Sequence, residues 1–377
     1  MSEKNKNPEV RFKGFTDDWE ESEFTSVVTR VSSISEKVGL PRVEYEDIIS
    51  GRGELNKNIY KKESSKIGIE FNNGDVLFGK LRPYLKNWLL SSFNGIAVGD
   101  FWVLRANESE SKFIYYLIQT SAYETAANQS SGTKMPRSDW NLVSKTEFNI
   151  PTNRKEQSKL GKFFKHLDHL ITLNQRKYDK LVTIKKAMLE KMFPKNGADV
   201  PEIRFKGFTE AWELRKLVDV SKITTGCSNR EDSCLDGEFT FFDRSEDIRT
   251  SNIFLFDCEA IIVAGEGSDF EPKYFMGKFD LHQRTYAIMN FDSTDGKFLY
   301  YYIFLFRKYF FDQAVGSTVK SLRLPMFQKM PIELPSKPEQ SKIGNYFKNL
   351  DTLITLKKRE LEKMKNIKKA CLEKMFV

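Results

Sequence analysis

The chain has 377 residues, which is long for one domain and suits two globular domains with connecting segments. Hydrophobic residues make up 40% of it, enough for real cores, and its polar first residues, MSEKNKNPEVR, lack the apolar stretch of a signal peptide. The four cysteines show neither metal-ligand spacing nor disulfide density, so we expect a reduced, cytoplasmic protein and not a secreted one.

The net charge of +8 is concentrated in two segments of the chain. Residues 154–195 carry 12 Lys/Arg against 4 Asp/Glu, and residues 337–377 carry 11 against 5. Residues 1–153 (20 against 21) and 196–336 (17 against 22) are slightly acidic. A nucleic-acid surface on these acidic portions would therefore have to consist of local basic patches.

The sequence contains an internal duplication. It opens on PEVRFKGFTDDWE at residues 8–20, and the motif returns as PEIRFKGFTEAWE at residues 201–213. After each motif, apolar and alternating runs predict three strands and a helix. These lie at residues 43–49, 75–81, 100–105 and 110–127 in the first half, and at 239–242, 260–264, 285–290 and 297–313 in the second. Strands with few intervening helices predict an α/β domain of mixed, α+β character in each half.

A basic amphipathic segment follows each half, at residues 156–193 and 339–376. The two copies align without a gap at a constant offset of 183, so each predicts one unbroken helix of 38 residues, about 57 Å long. A 4-3 spacing of apolar residues predicts a coiled-coil seam between them. The predicted seam comprises Leu160, Phe164, Leu167, Ile171 and Asn174 in the first copy, and Ile343, Phe347, Leu350, Ile354 and Lys357 in the second.

The order of parts predicts two domains (residues 1–152 and 197–336) and two helices (residues 153–196 and 337–377). We predict that the helices form an antiparallel coiled coil in which the polar residues Asn174 and Lys357 face each other. If the N-terminal sequence is placed directly after the C-terminal MFV, the joined sequence is nearly the same as the one that follows the first helix. This circular, pseudo-twofold organisation predicts that the two termini lie close together.

No active-site motif stands out in the sequence. GDVLFGKL at residues 74–81 has phosphate-loop spacing, but Leu81 stands where Mg²⁺ needs Ser or Thr, and its interior is apolar like a strand. His166, Asp168 and His169 resemble a metal cluster, but the second helix has neither histidine. We therefore predict no catalytic residue and no metal site in this chain.

Basic residues beside predicted turns are the candidates for DNA contact. Arginine pairs bidentately with guanine, and lysine mainly contacts phosphate. The loops at residues 132–137 and 316–323 are favoured because both halves keep glycine, hydroxyl and basic residues there. The candidates are Arg52, Lys80, Arg82, Lys134, Arg137, Arg230, Arg244, Lys320 and Arg323.

The repeats resemble the specificity subunit of type I restriction–modification systems. The resemblance covers nearly the whole chain and depends on the order of parts, on Trp19 and Trp212 at the start of each half, and on the EQ…(I/L)G…F…LD.LI opening of each helix. It implies two target-recognition domains that read the halves of an asymmetric bipartite DNA site. It also implies two methyltransferase subunits docked on the helices, with restriction (motor-nuclease) subunits joining the full complex.

On this resemblance the chain is a non-catalytic reader without its own cofactor. The partners would perform adenine N6 methylation and cleavage with S-adenosylmethionine, ATP and Mg²⁺. Three alternatives stay open: a reader for a methyltransferase-only or type II-like system, a duplicated protein–protein tether, and a stand-alone nuclease. The tether gives no reason for the unlike middles of the halves, residues 22–106 and 214–291, and the nuclease would need an acidic metal cluster that the sequence does not show.

Overall fold

The computed structural model describes residues 6–61, 64–129, 135–195, 197–245, 247 and 249–376. It divides into two compact units, the first comprising Met1–Gln175 and Arg359–Val377 and the second Arg176–Lys358. Each unit therefore contains one globular portion, the beginning of one long helix and the end of the other.

The first unit is built from short strands with a few helices. Its elements are β1 (Glu20–Glu23), α1 (Phe24–Val27), β2 (Val28–Val31), β3 (Ile34–Ser35), β4 (Arg42–Val43), β5 (Ile48–Ile49), β6 (Glu54–Leu55), β7 (Gly68–Phe71), β8 (Val76–Gly79), β9 (Trp88–Leu90), β10 (Gly95–Ala97), β11 (Phe101–Ala106), α2 (Ser111–Leu117), α3 (Ser121–Asn128), α4 (Trp140–Lys145), β12 (Glu147–Ile150) and the start of α5 (Arg154–Lys191).

The second unit has a similar order of elements. They are β13 (Glu213–Lys216), α6 (Leu217–Val220), β14 (Lys222–Thr225), β15 (Phe239–Phe242), β16 (Arg249–Ser251), β17 (Phe256–Ala264), β18 (Glu266–Gly267), β19 (Lys273–Leu281), β20 (Thr285–Met289), α7 (Gly296–Phe306), α8 (Lys308–Gln313), β21 (Lys320–Ser321), α9 (Leu324–Gln328), β22 (Pro331–Leu334) and the start of α10 (Lys337–Met375).

The two units share one sheet topology. The first has the strand order β2-β11-β8-β9 and the second has β14-β20-β17-β19, with every neighbouring pair antiparallel. In each unit the first and last short strands also pair, β1 with β12 and β13 with β22. The units then diverge: the first adds a separate sheet β3-β7-β10-β4, and the second extends its sheet with β15 and β16. The dissimilar middles of the two halves therefore fold around the same four strands.

Most of the predicted elements are confirmed, with three local differences. The helix predicted at residues 297–313 is divided at Arg307 into α7 (Gly296–Phe306) and α8 (Lys308–Gln313). The strand predicted at residues 43–49 is wrong, because the carboxylate of Asp47 accepts a hydrogen bond from the Glu44 backbone N–H at 2.8 Å and forms a turn between β4 and β5. The helix predicted at residues 110–127 is divided into α2 and α3, because the Thr120 hydroxyl caps α3 by accepting from the Tyr123 N–H at 3.3 Å.

The long helices are confirmed as unbroken, with 38 residues in α5 and 39 in α10. The first turn of each contains a glutamate that is buried against the globular portion beside it. In the first unit, Arg11 donates two hydrogen bonds to Glu156, at 2.7 and 2.9 Å. In the second, Arg204 donates two to Glu339, at 2.7 and 2.8 Å. The glutamates are 1% and 0% exposed, so the arginine of each RFKGF motif neutralises a buried charge.

The glutamine after each glutamate joins the long helix to the preceding segment. The Gln157 side-chain carbonyl accepts from the Glu110 backbone N–H at 3.0 Å, and its amide donates to the Pro151 carbonyl at 2.8 Å. Gln340 makes the equivalent bonds to the Asp295 N–H at 2.9 Å and to the Pro335 carbonyl at 2.8 Å. The repeated Glu-Gln pair is thus an anchor for the start of each helix.

The far end of each long helix packs into the other globular portion. In the first unit, Phe376, which follows α10, stacks on Phe113 with ring centroids 5.4 Å apart and packs edge-on against Trp19 at 6.4 Å. In the second unit, Phe193, which follows α5, stacks on Phe298 at 5.5 Å. In the first unit the Val10 N–H also donates to the Lys374 carbonyl at 2.9 Å. The prediction that the two ends of the chain lie close together is therefore confirmed.

Each unit contains an ion pair between the long helices. In the first, Lys368 of α10 contacts Asp168 of α5 at 2.7 Å, and the Tyr116 hydroxyl donates to the same carboxylate at 2.7 Å. Burial raises the pKa of this tyrosine, and the negative charge of Asp168 raises it further, so the hydroxyl remains a donor. In the second, Lys185 contacts Asp351 at 2.6 Å.

The helices run antiparallel within each unit. In the first unit, Phe164 contacts Phe376 at 5.7 Å between centroids, and Asn174, further along α5, contacts Met364, which lies earlier in α10. In the second unit, Lys185 contacts Asp351 and the later Phe193 contacts the earlier Phe347 at 5.9 Å.

The predicted seam is mostly buried, but its register needs a correction. Leu160, Phe164, Asn174, Ile343, Phe347 and Leu350 are buried, and Leu167, Ile171, Ile354 and Lys357 are partly buried. The side-chain amide of Asn174 donates to the Met364 sulfur at 3.4 Å. Met364 lies seven residues after Lys357 on the same helix, about 10 Å along its axis, so the pairing of Asn174 with Lys357 is wrong. The 4-3 spacing repeats every heptad and does not by itself fix the axial offset.

The buried ion pair predicts a stability test in the second unit. Arg204→Ala leaves Glu339 buried without its partner, and we expect the free energy of unfolding to fall by about 3 kcal/mol in urea denaturation. The matched control is Lys308→Ala, which removes the exposed Lys308–Asp312 pair of 2.6 Å and is expected to cost less than about 1 kcal/mol. Equal losses in the two variants would show that the buried pair does not anchor the helix.

Candidate nucleic-acid interface

Two of the basic residues predicted in the first unit, Lys80 and Arg137, meet at the end of β8. Lys80 and Arg137 both contact the carboxylate of Asp100, at 3.6 and 3.1 Å. The backbone holds them there: the Lys80 N–H donates to the Asp100 carbonyl and the Ser138 N–H donates to the Lys80 carbonyl, both at 2.9 Å. The Tyr45 hydroxyl also donates to the Asp100 carbonyl at 2.6 Å. We call this group, Lys80, Asp100 and Arg137, the first edge cluster.

Two of the basic residues predicted in the second unit, Arg230 and Arg244, meet near the end of β17. Arg244 and Arg284 contact the two oxygens of the Glu266 carboxylate, at 3.2 and 2.8 Å. Arg230 contacts Asp243 at 2.7 Å. With His282 and Gln283 these side chains line a cavity of about 460 Å³. We call Arg230, Asp243, Arg244, Glu266, His282 and Arg284 the second edge cluster.

The two clusters occupy equivalent places on the shared sheet. The Gly265 N–H donates to the Arg284 carbonyl at 2.8 Å, as the Lys80 N–H does to Asp100. The Leu322 N–H donates to the Gly265 carbonyl at 2.7 Å, as the Ser138 N–H does to Lys80. Asp100 and Arg284 are therefore equivalent in backbone position but opposite in charge. The same edge presents different donors and acceptors in the two units.

The electrostatics of the second edge cluster favour an ionised Asp243 and a neutral His282. Burial lowers the pKa of His282; the carboxylates of Asp243 and Glu266 oppose this and the cations of Arg284 and Arg244 reinforce it. Burial alone would raise the pKa of Asp243, but hydrogen bonds from Ser245 and the charge of Arg230 bring it below its usual range. The cluster therefore offers both charged donors and a charged acceptor at neutral pH.

The other candidates are spread over three places. Arg82 follows the first edge cluster, and its N–H donates to the Pro136 carbonyl at 2.7 Å. Lys320 lies in β21, paired with Gly267 beside the second edge cluster, and its ammonium lies 5.5 Å from the Phe311 ring. Arg323 is exposed just before α9. Lys134 lies outside the described residues.

Arg52 lies in a separate groove of the first unit. The groove has a volume of about 340 Å³ and lies between the globular portion and the parts of α5 and α10 in this unit. Its cations, Arg52, Lys86, Lys365, Lys368 and Lys369, are mixed with acidic residues, among them Glu54 and Glu124. The structure thus does not bring Arg52 into the first edge cluster.

Sequence reasoning missed the acidic residues of both clusters and also Arg284 and His282. A search for basic residues passes over carboxylates, although both residues stand at the start of a predicted strand: Asp100 is the first residue of one, and Arg284 immediately precedes the other. That shared position is the signal that could have found them.

The motifs set aside in the sequence have structural roles. The interior of residues 74–81 is the buried strand β8, and Asp168 is the acceptor of the Tyr116 and Lys368 bonds. In the part of the chain that the structure describes, no three His, Cys, Asp or Glu side chains are grouped to hold a metal ion. No helix among the described residues is long and apolar enough to cross a membrane.

The protein is therefore an internal duplication. Its two units have the same sheet topology, and each has a charged sheet edge and is anchored to a pair of helices. Residues 16–183 and 209–366 both match the family model for the type I restriction modification DNA specificity domain. The chain belongs to that family.

Curated relatives carry the same description. The chain is 30% identical over 158 residues to the type I restriction enzyme EcoDI specificity subunit of Escherichia coli, covering 42% of this chain and 35% of that protein. It is 24% identical to the MjaVIII specificity subunit of Methanocaldococcus jannaschii, covering 64% of each. The matches thus span less than two thirds of these two relatives. A third, the putative MjaX specificity subunit of the same organism, is 22% identical over 94% of this chain and 91% of its own length.

Solved structures share the fold. The S subunit of a type I restriction-modification system from M. genitalium superposes with a TM-score of 0.62 at 14% identity, covering 98% of this chain and 99% of its own. A second solved structure, which concerns complex assembly and conformational transition of the type I R-M system, contains a chain that superposes with a TM-score of 0.52 at 19% identity. The match covers 94% of this chain and 96% of that chain. These likenesses support the fold class predicted from the sequence.

The second edge cluster predicts the titration of His282. The chain has three histidines, so the His282 resonance can be assigned in NMR spectra by its loss in His282→Asn. We expect its pKa below the ordinary value of about 6.5. Arg244→Gln should raise this pKa because it removes a cation, and Glu266→Gln should lower it because it removes an anion.

The same shift has a consequence for stability. At pH values between the lowered pKa of His282 in the folded chain and its ordinary pKa in the unfolded chain, this histidine is protonated more in the unfolded state than in the folded state. The free energy of unfolding should therefore decrease as the pH falls through that interval, less so in His282→Asn. The control Arg215→Gln, on β13, should leave the titration unchanged. A His282 pKa above 6.5, or one insensitive to both cluster variants, would contradict the arrangement.

Proposed function

We propose that this chain is the DNA-reading subunit of a type I restriction–modification complex and performs no catalytic step itself. The observation that carries the proposal is the pair of edge clusters, which have the same backbone geometry but different charged groups. Two equivalent edges with unlike chemistry suit a bipartite, asymmetric DNA site, with one half for each unit. The target-recognition domains would be the globular portions, residues 1–152 and 197–336.

The chemistry of the clusters suits base edges. A guanidinium donates to O6 and N7 of guanine, and a carboxylate accepts from the amino group of cytosine. In the second cluster both Arg244 and Arg284 are hydrogen-bonded to the carboxylate of Glu266. Base edges that offer acceptors to the arginines and a donor to the carboxylate would therefore replace these hydrogen bonds within the protein by hydrogen bonds to DNA. In the first cluster Lys80 and Arg137 could contact phosphate or guanine beside Asp100.

The partners follow from the same proposal. Two methyltransferase subunits would dock on α5 and α10 and transfer a methyl group from S-adenosylmethionine to N6 of adenine. Restriction subunits would add ATP- and Mg²⁺-dependent translocation and cleavage. A system with only the methyltransferase, or a type II-like system, would use the same reading chain. In a cell the proposed complex would act in the cytoplasm, where the DNA is.

The test is methylome sequencing of cells that express this chain with its methyltransferase, combined with selection of random duplexes by the purified chain. Both should return the same asymmetric site in two parts. Binding that shows no sequence preference, or none at all, would favour the protein–protein tether. A contiguous, symmetric site would contradict one reading unit for each half.

The first prediction from this proposal concerns Arg284. Arg284→Ala should weaken specific binding by about 1–3 kcal/mol and relax one base position if the guanidinium reads a base edge. If it contacts a phosphate, the slope of log K against log salt should decrease by about 0.9. Arg215→Ala is the matched control, because Arg215 is a half-exposed arginine paired with Glu213 at 2.9 Å on β13, away from the cluster. Unchanged affinity, specificity and salt slope in Arg284→Ala would exclude Arg284 from the interface.

A second prediction uses the shared topology. Residues 22–106 contain β2, β8, β9 and β11 together with the last two residues of β1, and can be exchanged for the corresponding region of another family member without altering β12 or the long helices. We expect the chimera to methylate a site in which one half has changed and the other is kept. Exchange of residues 214–291 is the control and should change the other half. Simultaneous change of both halves would show that the units do not read independently.

A further inference from the structure

A strained turn follows the first edge cluster. Residues Pro83–Leu85 form one short 3-10 turn, and the residues on either side, Arg82 and Lys86, have φ values of 49° and 57°. Both are non-glycine residues in the left-handed region, which is unfavourable for side chains with a Cβ. Two strained residues around a three-residue turn must be held by their surroundings.

Backbone hydrogen bonds hold the turn from both sides. The Arg82 N–H donates to the Pro136 carbonyl at 2.7 Å, and the Gly51 N–H donates to the Lys86 carbonyl at 2.9 Å. The Ser50 hydroxyl donates to the Leu85 carbonyl. Pro83, the first residue of the turn, is buried. The tip is therefore rigid, and its conformation is imposed by neighbouring segments.

The turn holds two large apolar side chains in solvent. Tyr84 is 52% exposed and Leu85 is 41% exposed. A turn that served only to connect β8 and β9 would need neither strain nor apolar groups at its tip. Backbone strain that fixes exposed apolar side chains is typical of a contact surface.

The charges around the tip indicate a polyanionic partner. Four cations, Lys80, Arg82, Lys86 and Arg137, surround or flank it, against two carboxylates, Asp100 and Glu124. An apolar tip rimmed by a net positive charge fits DNA, whose bases are apolar on their faces and whose phosphates lie on either side.

The second unit has a different side chain at this place. After Gly267, which corresponds to Arg82, the chain reaches Phe270 with φ 52°, and that ring is buried with 3% exposure. The second unit thus turns its aromatic residue into the core, whereas the first exposes Tyr84 and Leu85. The difference predicts unlike modes of reading in the two units.

We propose that Tyr84 and Leu85 are a wedge that inserts beside one base step of the half-site read by the first unit. The inference rests on the proposed function. The wedge partly unstacks that step, and Lys80, Arg82, Lys86 and Arg137 hold the adjacent phosphates. Because pyrimidine–purine steps unstack most easily, the first half-site contains such a step at the wedge.

The test uses the full-length chain without added methyltransferase, so that no base flipping by a partner contributes. The probe is the duplex selected by the wild-type chain, with 2-aminopurine placed in turn at each purine of both half-sites. We expect fluorescence to rise at one step of one half-site on binding. In the double variant Tyr84→Ala, Leu85→Ala the rise should disappear and affinity should fall about tenfold.

Tyr60→Ala is the matched control, because Tyr60 is 69% exposed in the same unit and packs on Phe93, away from the turn. It should keep both the fluorescence rise and the affinity. Urea denaturation should give equal free energies of unfolding for wild type and both variants; the milder Leu85→Gln replaces the double variant if that one is unstable.

The outcomes separate the two proposals. If the wild-type chain selects a bipartite site but no position brightens, or if the double variant brightens and binds like wild type, the wedge is excluded and the reading function stands. If the double variant loses affinity while the rise persists, the turn contacts DNA without unstacking it, and the wedge is again excluded. If the wild-type chain selects no sequence, the proposed function fails and the wedge with it.

Discussion

The structure depends on a buried carboxylate at the start of each long helix. Glu156 and Glu339 are removed from water and are stabilised by the bidentate arginines Arg11 and Arg204. A buried charge without its partner is strongly destabilising, so this contact permits essentially one arrangement of helix start and globular portion. Each glutamate also lies in the first turn of its helix, where negative charge interacts favourably with the helix dipole.

The junction also explains which parts of the sequence repeat. The RFKGF arginine, the tryptophan of each half, the Glu-Gln pair and the terminal phenylalanine of each helix all meet there. Gly161 belongs to the same set, because a Cβ at this position would lie 2.6 Å from the Cβ of Lys112 and prevent the close approach of α2 and α5. The edge clusters take no part in these contacts, so their side chains are free to differ between the units while the junction stays the same.

The sequence predicts what is local or repeated, and it fails where pairing is non-local. The helices follow from an uninterrupted apolar pattern, and the buried seam residues Leu160 and Phe347 follow from its 4-3 spacing. This pattern does not predict which residue of α10 lies opposite Asn174, because every heptad of α10 offers a similar partner. The common order of four strands in the unlike middles was also hidden, since strand pairing tolerates many sequences on the same topology. Arg230 and Arg244 were found as charges, but their assembly with Glu266 depends on strands distant in sequence.

The acidic residues inside the edge clusters have a physical consequence for recognition. Phosphate attraction alone would give binding to any sequence, but the globular portions carry slightly more acidic than basic residues, 22 against 17 in residues 196–336. A guanidinium already paired with Glu266 gains little by moving to a phosphate, because one oxygen of the carboxylate then loses its arginine and lies close to another negative charge. A base edge that supplies a donor to Glu266 and acceptors to Arg244 or Arg284 avoids this cost. The pairing that lowers non-specific affinity thus raises the difference between correct and incorrect bases, which is the quantity that a reading subunit needs.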